Sequence, residues 1–325
     1  MRFDGTSRQR ENDPMQNLPR PILVIGSLNM DLVVRCEALP QVGQTVFGQD
    51  FFTAPGGKGA NQAVAAVRLG AGVTMAGCVG RDQFGRDLVT GLAAAGVRTD
   101  AVQAVDRPTG TALITVDAVG ANTIVVVSGA NAACDAASVD RALSAAAAPG
   151  ILLLQHEVPA QTNAHAIRAA HAAGWTVIVN PAPARVIEQE LLPLIDIIVP
   201  NETEAAALTG SSEPMTAADE LMRQGARSVL ITLGREGVLY RDVERTLRCP
   251  AVTVQAVDTT AAGDAYIGAF AAALAEQRTL PDCLGFASAA AALAVTRLGA
   301  QPSLGTQEEV AAFIAEHGMP MPVPG

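Results

Sequence analysis

The residues able to do chemistry in this chain gather in a few short stretches where carboxylates, amides and glycines are denser than a connection needs. In Asp258-Thr259-Thr260-Ala261-Ala262-Gly263-Asp264, two carboxylates bracket small residues just ahead of a helical pattern that runs to Ala275. The first turn of a helix offers unpaired N–H groups and the positive end of the dipole, a natural seat for phosphate. Gly263 permits close backbone approach there, and Asp264 stands where it would take the proton of a hydroxyl attacking that phosphate. Taken alone, the plainer reading is stronger: Asp258 or Thr259 caps the helix and Asp264 favours its dipole. An acid beside an anion site repels the anion unless it is used, and that weighs against a mere cap.

The other stretches are individually modest. Gly56-Gly57-Lys58-Gly59-Ala60-Asn61-Gln62 enters a helix but fails the GxxxxGK[ST] spacing, and no GxGxxG follows a strand. Its glycines would let backbone approach a polyol, with Lys58 and Asn61 as donors; a Gly-rich turn with a solvated lysine is the commoner fate. Asn29 and Asp31, two apart at a strand, point to one face and suit the paired hydroxyls of a sugar, or else form an Asx turn. Asn201 and Glu204 share a helix face, which suits a water-mediated Mg²⁺ contact but reads first as a capping box. Thr232-Leu233-Gly234-Arg235-Glu236-Gly237 follows a clean strand and would wrap a nucleotide or simply turn a hairpin. His156, His165, His171 and His317 form no metal or triad spacing.

These stretches must be positioned by something, and the elements around them alternate. Apolar runs at Pro21–Gly26, Met30–Val34, Val73–Val79, Ile151–Leu154, Thr176–Val179, Ile195–Val199 and Ser228–Thr232 read as strands. Ala-rich segments of helical spacing lie between them: Ala60–Leu69, Phe84–Ala95, Ser138–Ala147 and Thr162–Ala173. Such alternation predicts βαβ units, hence an α/β fold with a mostly parallel sheet covered by helices on both faces. Parts of 31–54 and 101–127 break the pattern with alternating polar and apolar residues, and predict a small β-sheet lid. The polar residues named above follow strand runs, where open α/β sheets bind ligands. Residues 1–20 read as a disordered tail, 21–318 as one domain, and 319–325 as a C-terminal tail.

Composition narrows the class. The chain has 325 residues, is 49 % hydrophobic and 17 % charged, and carries a formal charge of −10, which predicts a globular protein with neither nucleic acid nor membrane as partner. Residues 1–20 have no apolar centre, and no apolar run reaches spanning length, so neither secretion nor insertion is expected. Cys36, Cys78, Cys134, Cys249 and Cys283 are scattered and odd in number, which predicts reduced thiols in the cytoplasm.

In their order along the chain these residues resemble the PfkB-type carbohydrate kinases, from about Pro21 to Ser303. The resemblance is carried by Gly26-Ser27-Leu28-Asn29-Met30-Asp31, Gly56 to Gln62, Asn180-Pro181-Ala182-Pro183-Ala184-Arg185 and Pro200-Asn201-Glu202-Thr203-Glu204. Val257 to Asp264 and Val295-Thr296-Arg297-Leu298-Gly299-Ala300-Gln301-Pro302-Ser303 complete it. It implies a doubly wound domain with a β lid, a homodimer through that lid, and transfer of phosphate from ATP to the 5-hydroxyl of D-ribose. On the match, Asp264 is the base, and the amides of Ala262 and Gly263 form the anion hole. Asn29, Met30, Asp31, Gly57, Lys58, Gly59, Ala60, Asn61, Glu157 and Asp264 hold the sugar. Asn201, Thr232, Leu233, Gly234, Arg235, Glu236, Gly237, Gly263, Asp264 and Ser288 line the nucleotide site. Asn201 and Glu204 organise Mg²⁺ through water, and Asp258, Thr260, Ala294, Arg297, Gly299 and Ser303 hold potassium. Ser288 stands where relatives carry histidine or asparagine. The alternatives are a kinase of the same family acting on deoxyribose, fructose or a nucleoside, and a sugar-binding sensor without turnover; an intact Asp264 speaks against the sensor.

Overall fold

The computed structural model describes residues 19–146 and 148–325. The chain enters the main sheet with β1 (Ile22–Ile25) and leaves it at once for a smaller sheet through β2 (Asn29–Cys36) and β3 (Gly48–Gly56). Helix α1 (Lys58–Arg68) returns it to β4 (Val73–Gly80), α2 (Gln83–Ala94) and β5 (Arg98–Val105). The hairpin β6 (Gly110–Val116) and β7 (Asn122–Val127) completes the small sheet. Then come α3 (Ala136–Ser144), β8 (Ile151–Gln155), α4 (Ala160–Ala172), β9 (Thr176–Asn180), β10 (Ile197–Ile198), α5 (Glu202–Thr209), α6 (Pro214–Arg223) and β11 (Ser228–Thr232). The strands β12 (Val238–Asp242) and β13 (Thr246–Cys249) precede α7 (Ala262–Ala275), α8 (Leu280–Val295), α9 (Gln307–His317) and the short β14 (Val323–Pro324).

The main sheet runs β14-β13-β12-β11-β10-β9-β8-β1-β4-β5, parallel from β11 to β5 and antiparallel at the β12–β14 edge. From β1 the chain winds outward to β4 and β5, then recrosses to β8 and winds the other way, so the switch lies between β1 and β8. Crevices at such switches, beyond the carboxyl ends of the strands, are where ligands bind. The continuous apolar runs are explained by burial on both faces. In β1, Ile22 and Val24 join one core while Leu23 and Ile25 join the other; in β8, Ile151 and Leu153 oppose Leu152 and Leu154 in the same way. Each such side chain contributes about 1.5–3 kcal/mol by leaving water. Helices α7 and α8 are apolar on nearly all sides because they pack on each other, with α7 also on α1 and α8 also on α9, instead of facing solvent.

The small sheet, ordered β3-β2-β6-β7, is one layer thick. Its residues Phe47, Phe51, Ile124 and Val125 remain exposed, and the Arg35 guanidinium lies 5.5 Å over the Phe52 ring. Of the second excursion the lid takes the part Gly110–Val127, while 101–105 belongs to the main sheet, within β5 beside β4. Two expectations are corrected here. Residues 319–325 are no loose tail: Val323 and Pro324 add β14 to the sheet by pairing with β13. Arg20 is likewise tied down, donating to the Gly150 carbonyl at 2.6 Å and through its backbone N–H to Ala275 O at 2.9 Å. The rest of the N-terminal tail, 1–18, and Ala147 of the expected third helix lie outside the described residues. Among the described residues no helix is long and apolar enough to cross a membrane, and all five cysteines are buried free thiols.

Candidate active site

The site forms where the turn between β1 and β2 meets the start of α1. Gly57 caps α1 with φ 89°, and a Cβ there would stand 2.8 Å from Asn29 N and 2.9 Å from Ser27 O. At Gly59 a Cβ would stand 2.7 Å from Ser27 N. The glycines are thus required by the close approach of helix to turn, a role the sequence reading gave to a ligand. Ser27 Oγ donates to Glu157 Oε2, and the Lys58 N–H donates to the same oxygen at 3.0 Å, so Glu157 follows β8 already oriented.

On β2, Asn29 and Asp31 face the site and Met30 between them is buried in the core, as the pleat requires. Met30 and the fully buried Ala60 therefore offer no side chain to a ligand; the Ala60 N–H itself donates to Ser27 O at 3.0 Å. Asp264 enters from α7 across more than two hundred residues of sequence. Its Oδ2 accepts from Asn61 Nδ2 and its Oδ1 from Gln62 Nε2, both at 3.0 Å. Ala261, the residue before α7, has φ 59°, a left-handed conformation that costs an alanine roughly 1–2 kcal/mol. That strained turn aims the start of α7 at the site. It also commits the Ala262 N–H to Thr259 O at 3.2 Å, so Ala262 is not a free anion-hole donor as arranged. The N–H groups of Gly263 and Asp264 precede the first helical bond, that of Ala265 to Ala261 O, and remain available.

Charge is concentrated around Lys58. Burial opposes its positive charge, but Asp264, Glu157 and Glu204 more than offset this and hold its pKa above the usual lysine range. Asp264 is pushed upward by burial, against the pull of Lys58, Gln62 and Asn61. Asp31 is pushed up to about 7 by burial and by the like charges of Glu157 and Asp264. Burial also raises Glu204, opposed by the Asn201 N–H and Lys58. Carboxylates gathered here can accept from polyol hydroxyls and take a proton, while the lysine and the N–H groups at the helix start can hold an anion.

On the other side of α7, Asn201 pairs with Thr232 across a parallel bridge, which puts the Thr232–Gly237 turn beside the start of α5. That turn is a hairpin between β11 and β12, with the Leu233 side chain in the core. Asn201 and Glu204 do form the capping box: Glu204 Oε2 accepts from Asn201 N at 2.9 Å and Asn201 Oδ1 from Glu204 N at 2.8 Å. The cap uses only Oε2 of Glu204, and its Oε1 is the acceptor that an indirect Mg²⁺ contact through water would need. Ser288 is set apart, buried with its hydroxyl 3.7 Å from the Cys249 sulfur. Asp258 accepts from Thr260 N and Gly299 N, both at 2.8 Å, and both Val257 N and Asp258 N donate to Val295 O. Those bonds outweigh burial and hold Asp258 below the usual carboxylate range. Asp258 is thus a tie between two loops, not a helix cap. Its remaining lone pairs, the carbonyls of Ala294 and Arg297, and the Ser303 oxygen, whose proton goes to Ala300 O, make a donor set of one charge and neutral oxygens that fits a large monovalent cation.

Two residues escaped the sequence reading. Asn131 grips the β1–β2 turn, accepting from Leu28 N at 2.9 Å and donating to Asn29 Oδ1 at 2.7 Å, which orients Asn29. No local signal marks it, since its partners lie about a hundred positions away. Gln62 was visible only as part of GGKGANQ, with no role of its own. A cavity of about 330 Å³ opens beside the site, lined by Asn29, Val126, Asn131, Glu157 and Arg185 among others.

The family model for pfkB family carbohydrate kinases matches residues 20–307. The chain is 40 % identical to the ribokinase of Haemophilus influenzae over 304 residues, covering 92 % of this chain and 99 % of that one. It is 42 % identical to the Bacillus subtilis ribokinase over 292 residues, covering 90 % and 98 %. Among solved structures, Thermotoga maritima ribokinase superposes with a TM-score of 0.84 at 37 % identity, over 91 % of this chain and 99 % of that one. Arabidopsis thaliana ribokinase complexed with ribose and ATP superposes with a TM-score of 0.83 at 34 % identity over the same shares.

Proposed function

Because the chain belongs to the pfkB family of carbohydrate kinases, we propose that it transfers the terminal phosphoryl group of ATP to the 5-hydroxyl of D-ribose, giving D-ribose 5-phosphate and ADP. The observation that carries this reading is Asp264, buried at the start of α7 with both oxygens held by Asn61 and Gln62 and with free N–H groups beside it. Relatives named ribokinase share the whole length of the fold, one of them in complex with ribose and ATP.

The geometry supports the following roles. Asn29 and Asp31 face the 2- and 3-hydroxyls, with Lys58 and Glu157 completing the sugar shell. As the 5-oxygen forms its bond to phosphorus and the bond to ADP breaks, the hydroxyl proton passes to Asp264. Lys58 and the N–H groups of Gly263 and Asp264 balance charge on the transferring group, which is where most of the catalysis of phosphoryl transfer lies. Asn201 and the Thr232–Gly237 turn face the nucleotide. Glu204 and Asn201 would hold Mg²⁺ through water, and the ion would neutralise charge on the phosphates. Asp258, Thr260, Ala294, Arg297, Gly299 and Ser303 would hold potassium, which would supply a fixed positive charge beside the loop that shapes the start of α7. The reaction is placed in the cytoplasm, where buried cysteines stay reduced.

ADP release over a panel of ribose, 2-deoxyribose, fructose and nucleosides tests the reading, run at constant ionic strength in potassium and again in a large organic cation. Ribose should exceed 2-deoxyribose in kcat/KM by about 10- to 100-fold, the cost of leaving buried polar groups unpaired. Equal efficiency would remove Asn29 and Asp31 from 2-hydroxyl recognition and favour the deoxyribose reading. Potassium should raise kcat or lower KM, and Asp258→Ala should abolish the response; rates indifferent to the cation would sink the cation site.

The lid carries the proposed homodimer. By alternation along β7, Val126 faces the cavity and Val125 and Val127 face away, yet all are exposed, and Phe47 and Phe51 add to the uncovered surface. A single thin sheet cannot bury that area alone, and a second lid would cover it. Light scattering at low micromolar protein with ribose present should give the mass of a dimer, and a monomer would contradict the proposal.

A further inference from the structure

We propose that Gln62 is the positioning residue of the catalytic base, the last member of a buried chain of side-chain amides that fixes which way Asp264 points. The chain starts at a peptide carbonyl. Val199 O can only accept, so the Asn180 Nδ2 that lies 2.8 Å from it must donate, which turns Asn180 Oδ1 toward Gln62. Gln62 Nε2 then donates both of its protons, to Asn180 Oδ1 at 3.1 Å and to Asp264 Oδ1 at 3.0 Å. Its Oε1 is left to accept, and it accepts from Gln155 Nε2 at 2.7 Å. Every amide orientation follows from its neighbour, so Gln62 cannot flip without breaking a bond at each end. Gln62, Gln155, Asn180 and Asp264 are all buried, where an unpaired polar group is costly.

The chain does two things that Asn61 alone cannot. It ties the base to the carboxyl ends of β8, β9 and β10, the rigid centre of the sheet, while Asn61 shares α1 with Gln62 and moves with it. It also supplies a second donor to the ionised carboxylate, opposing the burial that favours the neutral form. The other charged groups around Asp264 are Lys58 on α1, Asp31 on β2, Glu157 after β8 and Glu204 on α5. None of them touches Gln62 in this network, so their influence is the same with and without its amide.

This inference rests on Asp264 as the base, and its test separates the two. Gln62→Met keeps the volume and removes the donor. The Asp264 carboxyl, followed by carbon NMR in the unliganded protein and identified by its loss in Asp264→Asn, should titrate about one unit higher in Gln62→Met than in the unaltered chain. In turnover, the acid limb of kcat should move the same way and kcat should fall roughly 10- to 100-fold, with the sugar KM within about twofold. Gln155→Met leaves Asp264 untouched and removes only the donor to Gln62 Oε1, so it should shift both in the same direction by less, Gln62 keeping its bonds to Asn180 and Asp264. A folded Gln62→Met or Gln155→Met whose carboxyl titration matches the unaltered chain overturns the proposal; should Gln62→Met fail to fold, Gln155→Met decides. If the carboxyl moves but kcat does not, Gln62 orients Asp264 and Asp264 is not the base.

Discussion

Asp264→Asn should lower kcat by roughly 10²–10⁴-fold while ribose still binds, because the amide keeps the shape of the carboxylate and loses its basicity. The site makes the substitution unusually clean. Asp264 is buried and its pKa is already raised by that burial, so a neutral side chain relieves a desolvation penalty. Against this, both oxygens accept from amide donors, and an asparagine turns its own NH₂ toward one of them, losing one hydrogen bond. The two effects oppose each other, so thermal stability should stay close to that of the unaltered chain. Wild-type turnover in Asp264→Asn would reduce Asp264 to a helix-start residue and remove it as the base.

The second large effect is a pH dependence of sugar binding. Asp31 is pushed up to about 7, first by burial and then by Glu157 and Asp264, so below that pH it carries a proton in the free protein. A carboxylate gripping two hydroxyls must be ionised to accept from both. The apparent KM for ribose should therefore rise about tenfold for each unit of pH below about 7 and level off above it. The sign for stability is the reverse of the usual carboxylate case. The folded state holds the proton more tightly than the unfolded chain, so this group favours folding at low pH and the benefit fades as pH rises from 3.8 to about 7. Asp31→Asn should raise the ribose KM and remove its acid dependence. If the KM of that variant still climbs below neutral pH, the titrating group is another member of the cluster and Asp31 is not the sugar's acceptor.

Much of the molecule was legible in the residues themselves. Four-residue apolar runs such as Ile22–Ile25 and Ile151–Leu154, with helical segments between them, dictate strands buried on both faces, because no other arrangement hides consecutive large side chains. The order of the chemical stretches carried the family resemblance, and Glu157, Asn180 and Asn201 stand at or shortly past the carboxyl ends of β8, β9 and β10. Caps were equally readable, since Asn201 and Glu204 meet within one turn.

What only the tertiary structure decided has one physical origin: partners brought together by strand order, far apart in sequence. Asn131 orients Asn29 across 102 residues, Ser27 and Glu157 meet across 130, and Asp264 meets Gln62 across 202. Spacing within a segment cannot encode such pairs, because they depend on β1 lying between β8 and β4. The same limit applies to Met30 and Ala60, whose side chains the pleat of β2 and the packing of α1 turn into the core. Ala261 adopts a left-handed turn that its own type disfavours, and only the contacts around it hold it there to aim the N–H groups of Gly263 and Asp264. Sequence determined which residue types stand at the strand ends; the closure of the sheet decided which of their atoms face one another, because hydrogen-bond direction is set by distance and angle in space and not by position along the chain.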